Sequence, residues 1–189
     1  TSRMLNELTG AELFFKCENL QKAGAFKARG ATNAVFGLTE QQAEKGVATH
    51  SSGNHGTCLS YAAGRRGIPC TVVMPRTAPQ AKKDAVKGYG GCVVECDPST
   101  SSREAVFAEV AAKTGAEFVH PYNDHRVIAG QATCSAELIE QVEDLDAVVT
   151  GGTDEPVVED LAELDVDVER RRRRAVREQL ADLAGIGRA

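Results

Sequence analysis

The feature that most constrains this chain is the regular alternation of short apolar or β-branched runs with longer helical patterns. "AELFFKCE", "GVATHSS", "CTVVMP", "CVVECD", "EFVHP" and "DAVVT" read as strands. Between them, "FKARGATNAVFGL", "NHGTCLSYAAGRRG", "PQAKKDAVKGYG", "SSREAVFAEVAAKTG" and "RVIAGQATCSAELIEQV" read as helices. Alternation of this kind predicts βαβ units, hence an α/β fold with a parallel sheet and flanking helices. Gly46, Gly67, Pro75, Gly88 and Gly115 fall at junctions, where helices stop or strands begin. A chain of 189 residues has room for one good core or two small lobes.

Composition excludes several classes. With 42% hydrophobic and 26% charged residues and a net charge of -5, the chain reads as globular and not as a nucleic-acid binder. No apolar run approaches the roughly 20 residues a membrane helix needs, and "TSRMLNELTG" lacks the features of a signal peptide. The cytoplasm is the expected compartment. Six cysteines show no CxxC pair and read as buried thiols, with Cys92 and Cys96 on one face of a strand. The histidines lack metal-ligand spacing, so no metal site is expected, and His120 and His125 read as structural.

Two segments carry chemistry. In "THSSGNHGT" a strand ends and a helix begins near Asn54, with Ser51, Ser52 and Gly53 as the connecting turn. The N–H groups of such a helix start attract phosphate or carboxylate, although Ser and Asn are equally ordinary N-caps. In "KAGAFKARG", Lys27 lies where a helix starts, and a cation at that end is disfavoured, so its ammonium pKa is expected to fall. A partly neutral lysine condenses with aldehydes, but taken alone Lys27 reads better as a solvated surface residue.

Together with "GIPCTVVMPRTAPQAKKDAVKGYGG" and "VHPYNDHRVIAGQAT", these segments resemble, in order, the serine racemase and threonine/serine dehydratase family of pyridoxal-phosphate enzymes, of fold type II. The resemblance covers residues 1 to about 150. It implies a two-lobed, tryptophan-synthase-β-like fold: a large lobe from 1–45 and 123–152, here incomplete, and a small mobile lobe over 46–122. It implies that Lys27 holds the cofactor and moves the α-proton on one face, while Ser52 does so on the other. Asn54 then bonds the cofactor's phenolic oxygen, and Gly151 and Gly152 belong to its phosphate loop. Ser51, Ser52, Asn54 and His55 receive the substrate carboxylate, with Arg103 near it and Tyr89 close to the site. The implied reaction is racemisation of serine, or β-elimination of serine or threonine to a 2-oxo acid and ammonia. The implied partners are a small amino acid and a second copy in a homodimer, with no nucleic acid and no membrane.

The sequence departs from the family at Ala25, commonly serine there, at Thr57 in place of glutamine, and at "GQAT" in place of "GQGT". Past Val149 it reads "TGGTDEPVV", with two glycines where the family's phosphate loop has four, and without the family's divalent-cation site. Residues 154–169 are acidic, and Arg170 to Arg174 open a helical pattern, read as a solvated face rather than a nucleic-acid arm. The alternative function is a catalytically silent, truncated relative that binds or dimerises.

Overall fold

The computed structural model describes residues 1–149. Two compact units divide at Cys134 and Ser135. The first contains a four-stranded, all-parallel sheet, built from β1 (Val47–His50), β2 (Cys70–Pro75), β3 (Cys92–Cys96) and β4 (Glu117–Phe118). In register, Val47 sits opposite Cys70 on one side and Glu117 on the other, while Thr71 faces Cys92. The helices are α1 (Arg3–Thr9), α2 (Lys27–Phe36), α3 (Glu40–Lys45), α4 (Asn54–Arg66), α5 (Gln80–Gly88), α6 (Thr100–Thr114) and α7 (His125–Gln141), the last running across the boundary. In the second unit, the described residues carry the end of α7 and then no regular element.

Sheet order β3-β2-β1-β4 means that the chain first builds outward from β1 and then returns to its other side. Such a reversal opens a crevice beyond the carboxyl ends of the two diverging strands, here β1 and β4. Both loops leaving those strands therefore meet at one place.

Local chemistry explains the helix limits. Thr39 and Gln42 form a reciprocal capping box at α3, with Gln42 N–H to Thr39 Oγ1 at 3.3 Å and Thr39 N–H to Gln42 Oε1 at 2.9 Å. α3 ends at Gly46, whose φ of 76° favours glycine and whose added Cβ would strike the Pro69 carbonyl. α4 sits close on the sheet because Gly56 lacks a Cβ, which would lie 2.7 Å from Val72 Cγ1. Ala28, Ala31, Ala34 and Val35 from α2 join Leu59, Ala62 and Ala63 from α4 in the core, with Val47, Val72, Met74 and Val86 among the residues packed with them. Small side chains on both helices let them approach closely.

Three expectations fail. "AELFFKCE" forms no strand: residues 12–17 are irregular and Glu18 opens a 3-10 turn. Residues 146–149 of "DAVVT" likewise form none. A strand exists only in a ladder, and no neighbour pairs with either run among the described residues, leaving Phe14, Phe15, Val148 and Val149 exposed. Cys58, Cys70 and Cys96 are buried as expected, but Cys17 and Cys92 are exposed. Cys92 opens the edge strand β3, which only β2 covers on one side.

Candidate active site

The crevice at β1 and β4 collects most of the residues singled out by sequence. Lys27 is the first residue of α2, whose N-cap, Phe26, supplies no side-chain cap. Its ammonium donates to the Pro121 carbonyl at 2.7 Å, just past β4, and lies 5.1 Å from the Phe26 ring centroid. Burial lowers the Lys27 pKa, with the Cys58 thiol opposing. The expected direction is right, but the main cause is desolvation rather than the helix end. Among the described residues no carboxylate pairs with Lys27.

α4 starts without a side-chain cap, its N-cap being Gly53. Its first-turn N–H groups are thus left for an external acceptor, while Gly53 N–H donates to Ser51 Oγ at 3.3 Å. Ser52 and Asn54 are exposed at this turn, Ser51 is half-buried and His55 is buried. Asn54 Oδ1 accepts a hydrogen bond from the Lys82 ammonium.

His55 is 3% exposed, and its Nε2 lies 3.0 Å from the Val119 carbonyl, so Nε2 carries the proton. Nδ1 is buried and unpartnered. Burial pushes the imidazole pKa down to about 4, the Val119 bond opposing and Lys27 reinforcing. The ring is neutral near pH 7. An anion bound at this turn would therefore meet the His55 backbone N–H and not an imidazolium. The same Val119 carbonyl accepts from Thr49 Oγ1 at 2.8 Å, which binds β1, α4 and β4 together at the crevice floor.

Arg103 lies in the first part of α6 with its Nε buried and unpartnered. Burial, then the neighbouring Arg103 and His120, hold His50 below the usual imidazole range. His50 ends β1, so Arg103 faces the strand that leads into the Ser51 turn. Its ring packs with those of Phe107, Phe118 and His120. Tyr89 packs edge-on against Tyr61 at 5.4 Å, a structural contact. Gly151 and Gly152 lie outside the described residues.

Thr49, Val119, Pro121 and Lys82 were missed by sequence reasoning. Pro121 and Val119 act through carbonyls, which carry no residue-type signal, and Lys82 reaches the turn only because α5 packs on α4. A groove of ≈ 510 Å³ lies elsewhere, lined by Arg29, Asn33, Phe36, Tyr61, Arg65 and Thr133 among others, and contains none of the candidate residues. Among the described residues no cluster suited to a metal ion occurs and no helix is long and apolar enough to cross a membrane.

The chain is 75% identical over 149 residues to β-hydroxyaspartate dehydratase of Paracoccus denitrificans, covering 79% of this chain and 47% of that one. The serine racemase structure from Dictyostelium discoideum superposes with a TM-score of 0.73 at 51% identity, over 76% of this chain and 47% of that one. Threonine deaminase isoform 2 of Solanum lycopersicum gives 0.71 at 34% identity, over 76% and 42%. The chain thus spans about half the length of the curated relatives it matches. A family model described as pyridoxal-phosphate dependent enzyme matches residues 1–153, and this chain belongs to that family.

Proposed function

We propose that this chain carries the proton-transfer and carboxylate-binding part of a pyridoxal-phosphate site that eliminates the hydroxyl of a β-hydroxy-α-amino acid. The observation that carries the reading is the half-buried Lys27 ammonium, held by one neutral carbonyl and depressed in pKa, beside the uncapped start of α4. An amine so placed is fit to attack an aldehyde, and the helix start is fit to hold an anion. The residues present therefore suit the aldehyde end of the cofactor. When bound, pyridoxal phosphate supplies a ring that withdraws electrons from the substrate's α-carbon.

In this reading Lys27 is the residue that would hold the cofactor's aldehyde end, and its Nζ would take the substrate's α-proton. Backbone N–H groups at Ser52 to His55 orient the substrate carboxylate, with Arg103 adding positive charge nearby. Ser52 Oγ, exposed at the turn, is the second proton carrier. Asn54 would be the side chain that meets the cofactor's phenolic oxygen. Residues 46–122 act as the smaller lobe, whose closure excludes water. Loss of the β-hydroxyl and hydrolysis of the resulting enamine yield a 2-oxo acid and ammonia. The 75% identity to a β-hydroxyaspartate dehydratase favours a dicarboxylic substrate. Racemisation of serine is the second reading, favoured by Ser52 and by the 51% identity to serine racemase of Dictyostelium discoideum.

The test is to mix the purified chain with pyridoxal phosphate and record the visible spectrum. A long-wavelength band is expected, and Lys27→Ala should abolish it; a band that survives the substitution sinks the assignment. Where the band is present, ammonia release from β-hydroxyaspartate, serine and threonine ranks the substrates.

A further inference from the structure

The tandem lysines of α5 have opposite surroundings. Lys83 is buried, and its ammonium donates to Glu95 Oε1 at 2.7 Å and to the Arg76 carbonyl at 2.8 Å, which ties α5 to β3. Lys82 points instead to α4, and its ammonium donates to Asn54 Oδ1. No carboxylate pairs with Lys82 among the described residues; nearby Asp84 accepts from Gln80 Nε2 at 2.7 Å. Placing an unpaired ammonium at the positive end of α4 is electrostatically unfavourable, so stability gives no reason for it.

We propose that Lys82 is a positioning residue that fixes the side-chain amide of Asn54 and so sets which of its two polar atoms is left to donate. An ammonium only donates, so the atom it meets on Asn54 must be the oxygen. The oxygen and nitrogen of a carboxamide lie in one plane on a single trigonal carbon, so holding Oδ1 fixes the amide plane and leaves Nδ2 as its remaining donor. Without Lys82 the amide is free to flip and to present its oxygen to an anionic ring oxygen, which repels it. This inference rests on the role proposed above for Asn54 and adds the residue that makes that role directional.

Two variants separate the donor from the side-chain stem: Lys82→Met keeps the length and loses the donor, while Lys82→Arg keeps a donor. Without cofactor, the side-chain amide signals of Asn54, assigned by their loss in Asn54→Asp, are read in a nitrogen–proton correlation spectrum. They should move in Lys82→Met and remain near the unmodified position in Lys82→Arg, with the other amide signals in place. Unmoved signals in Lys82→Met overturn the proposal. With pyridoxal phosphate added, the pH midpoint of the long-wavelength band should rise by about one unit in Lys82→Met, tenfold in the proton equilibrium, and recover in Lys82→Arg. A midpoint equal to that of the unmodified chain overturns the positioning role even if the amide signals move. Absence of the band in the unmodified chain overturns the cofactor reading instead, and the amide signals then decide the Lys82 contact alone.

Discussion

Lys27 and Arg29 are two residues apart on the same helix and have opposite fates. Arg29 meets Glu18 through two bonds of 2.8 Å and Thr133 Oγ1 through a third of 3.0 Å. Both members of that ion pair are largely buried, with 12% and 16% of their side chains exposed. Lys27 has one neutral carbonyl and a lowered pKa. The contrast teaches where each cation belongs: one whose charge is fully matched holds the fold, and one left under-matched in a crevice is available for chemistry. The α2–α7 contact beside Arg29 is equally committed to packing, since Gly30 and Gly130 touch so closely that a Cβ on Gly130 would lie 2.6 Å from Gly30 Cα.

The comparison breaks first at the two cations. Arg29→Met should cost on the order of 3 kcal/mol, because it removes both guanidinium bonds to the largely buried Glu18 carboxylate; urea unfolding measures this. Lys27→Met should leave the unfolding midpoint nearly unchanged while removing the cofactor band entirely. Equal destabilisation by both would erase the distinction.

A pH titration tests the crevice from another side. His55 has a folded pKa of about 4 against an ordinary value of 6.5. Above pH 6.5 the ring is neutral in both states and contributes no slope. Between pH 6.5 and about 4 only the unfolded chain takes up the proton, so stability should fall by at most about 3 kcal/mol across that window. His55→Gln should flatten that slope; an unaltered slope would mean that the imidazole is solvated.

Gly130→Ala should cost roughly 1–3 kcal/mol by forcing α2 and α7 apart, with the cofactor band retained. Ser52→Ala is the smallest expected effect on stability, within about 0.5 kcal/mol, since the side chain is exposed. Under the proposed function its effect should fall on turnover, with racemisation suffering more than proton removal by Lys27; equal loss of both would sink the two-carrier assignment.

Much of this was legible in the sequence. Strand and helix periodicities are local, so "GVATH", "CTVVMP" and "CVVEC" mark β1 to β3, and "KARGATNAVF" marks a helix that opens at Lys27. The Ser51–Asn54 turn and its helix start were equally clear from residue types. "AELFFKCE" has the same local character as a strand but lacks a ladder partner among the described residues, and partners are not a local property.

By itself, the sequence determined the alternating elements, the residue types at the turn and the lysine at the head of α2, because these follow from spacing and backbone chemistry over a few residues. Only the tertiary structure decided that burial lowers the Lys27 pKa, that His55 presents a neutral ring tied to Val119, and that Lys82 reaches Asn54. Each of these depends on desolvation or on contacts between residues far apart in the chain, and both arise only when the sheet order carries β4 back beside β1 and lays α5 against α4.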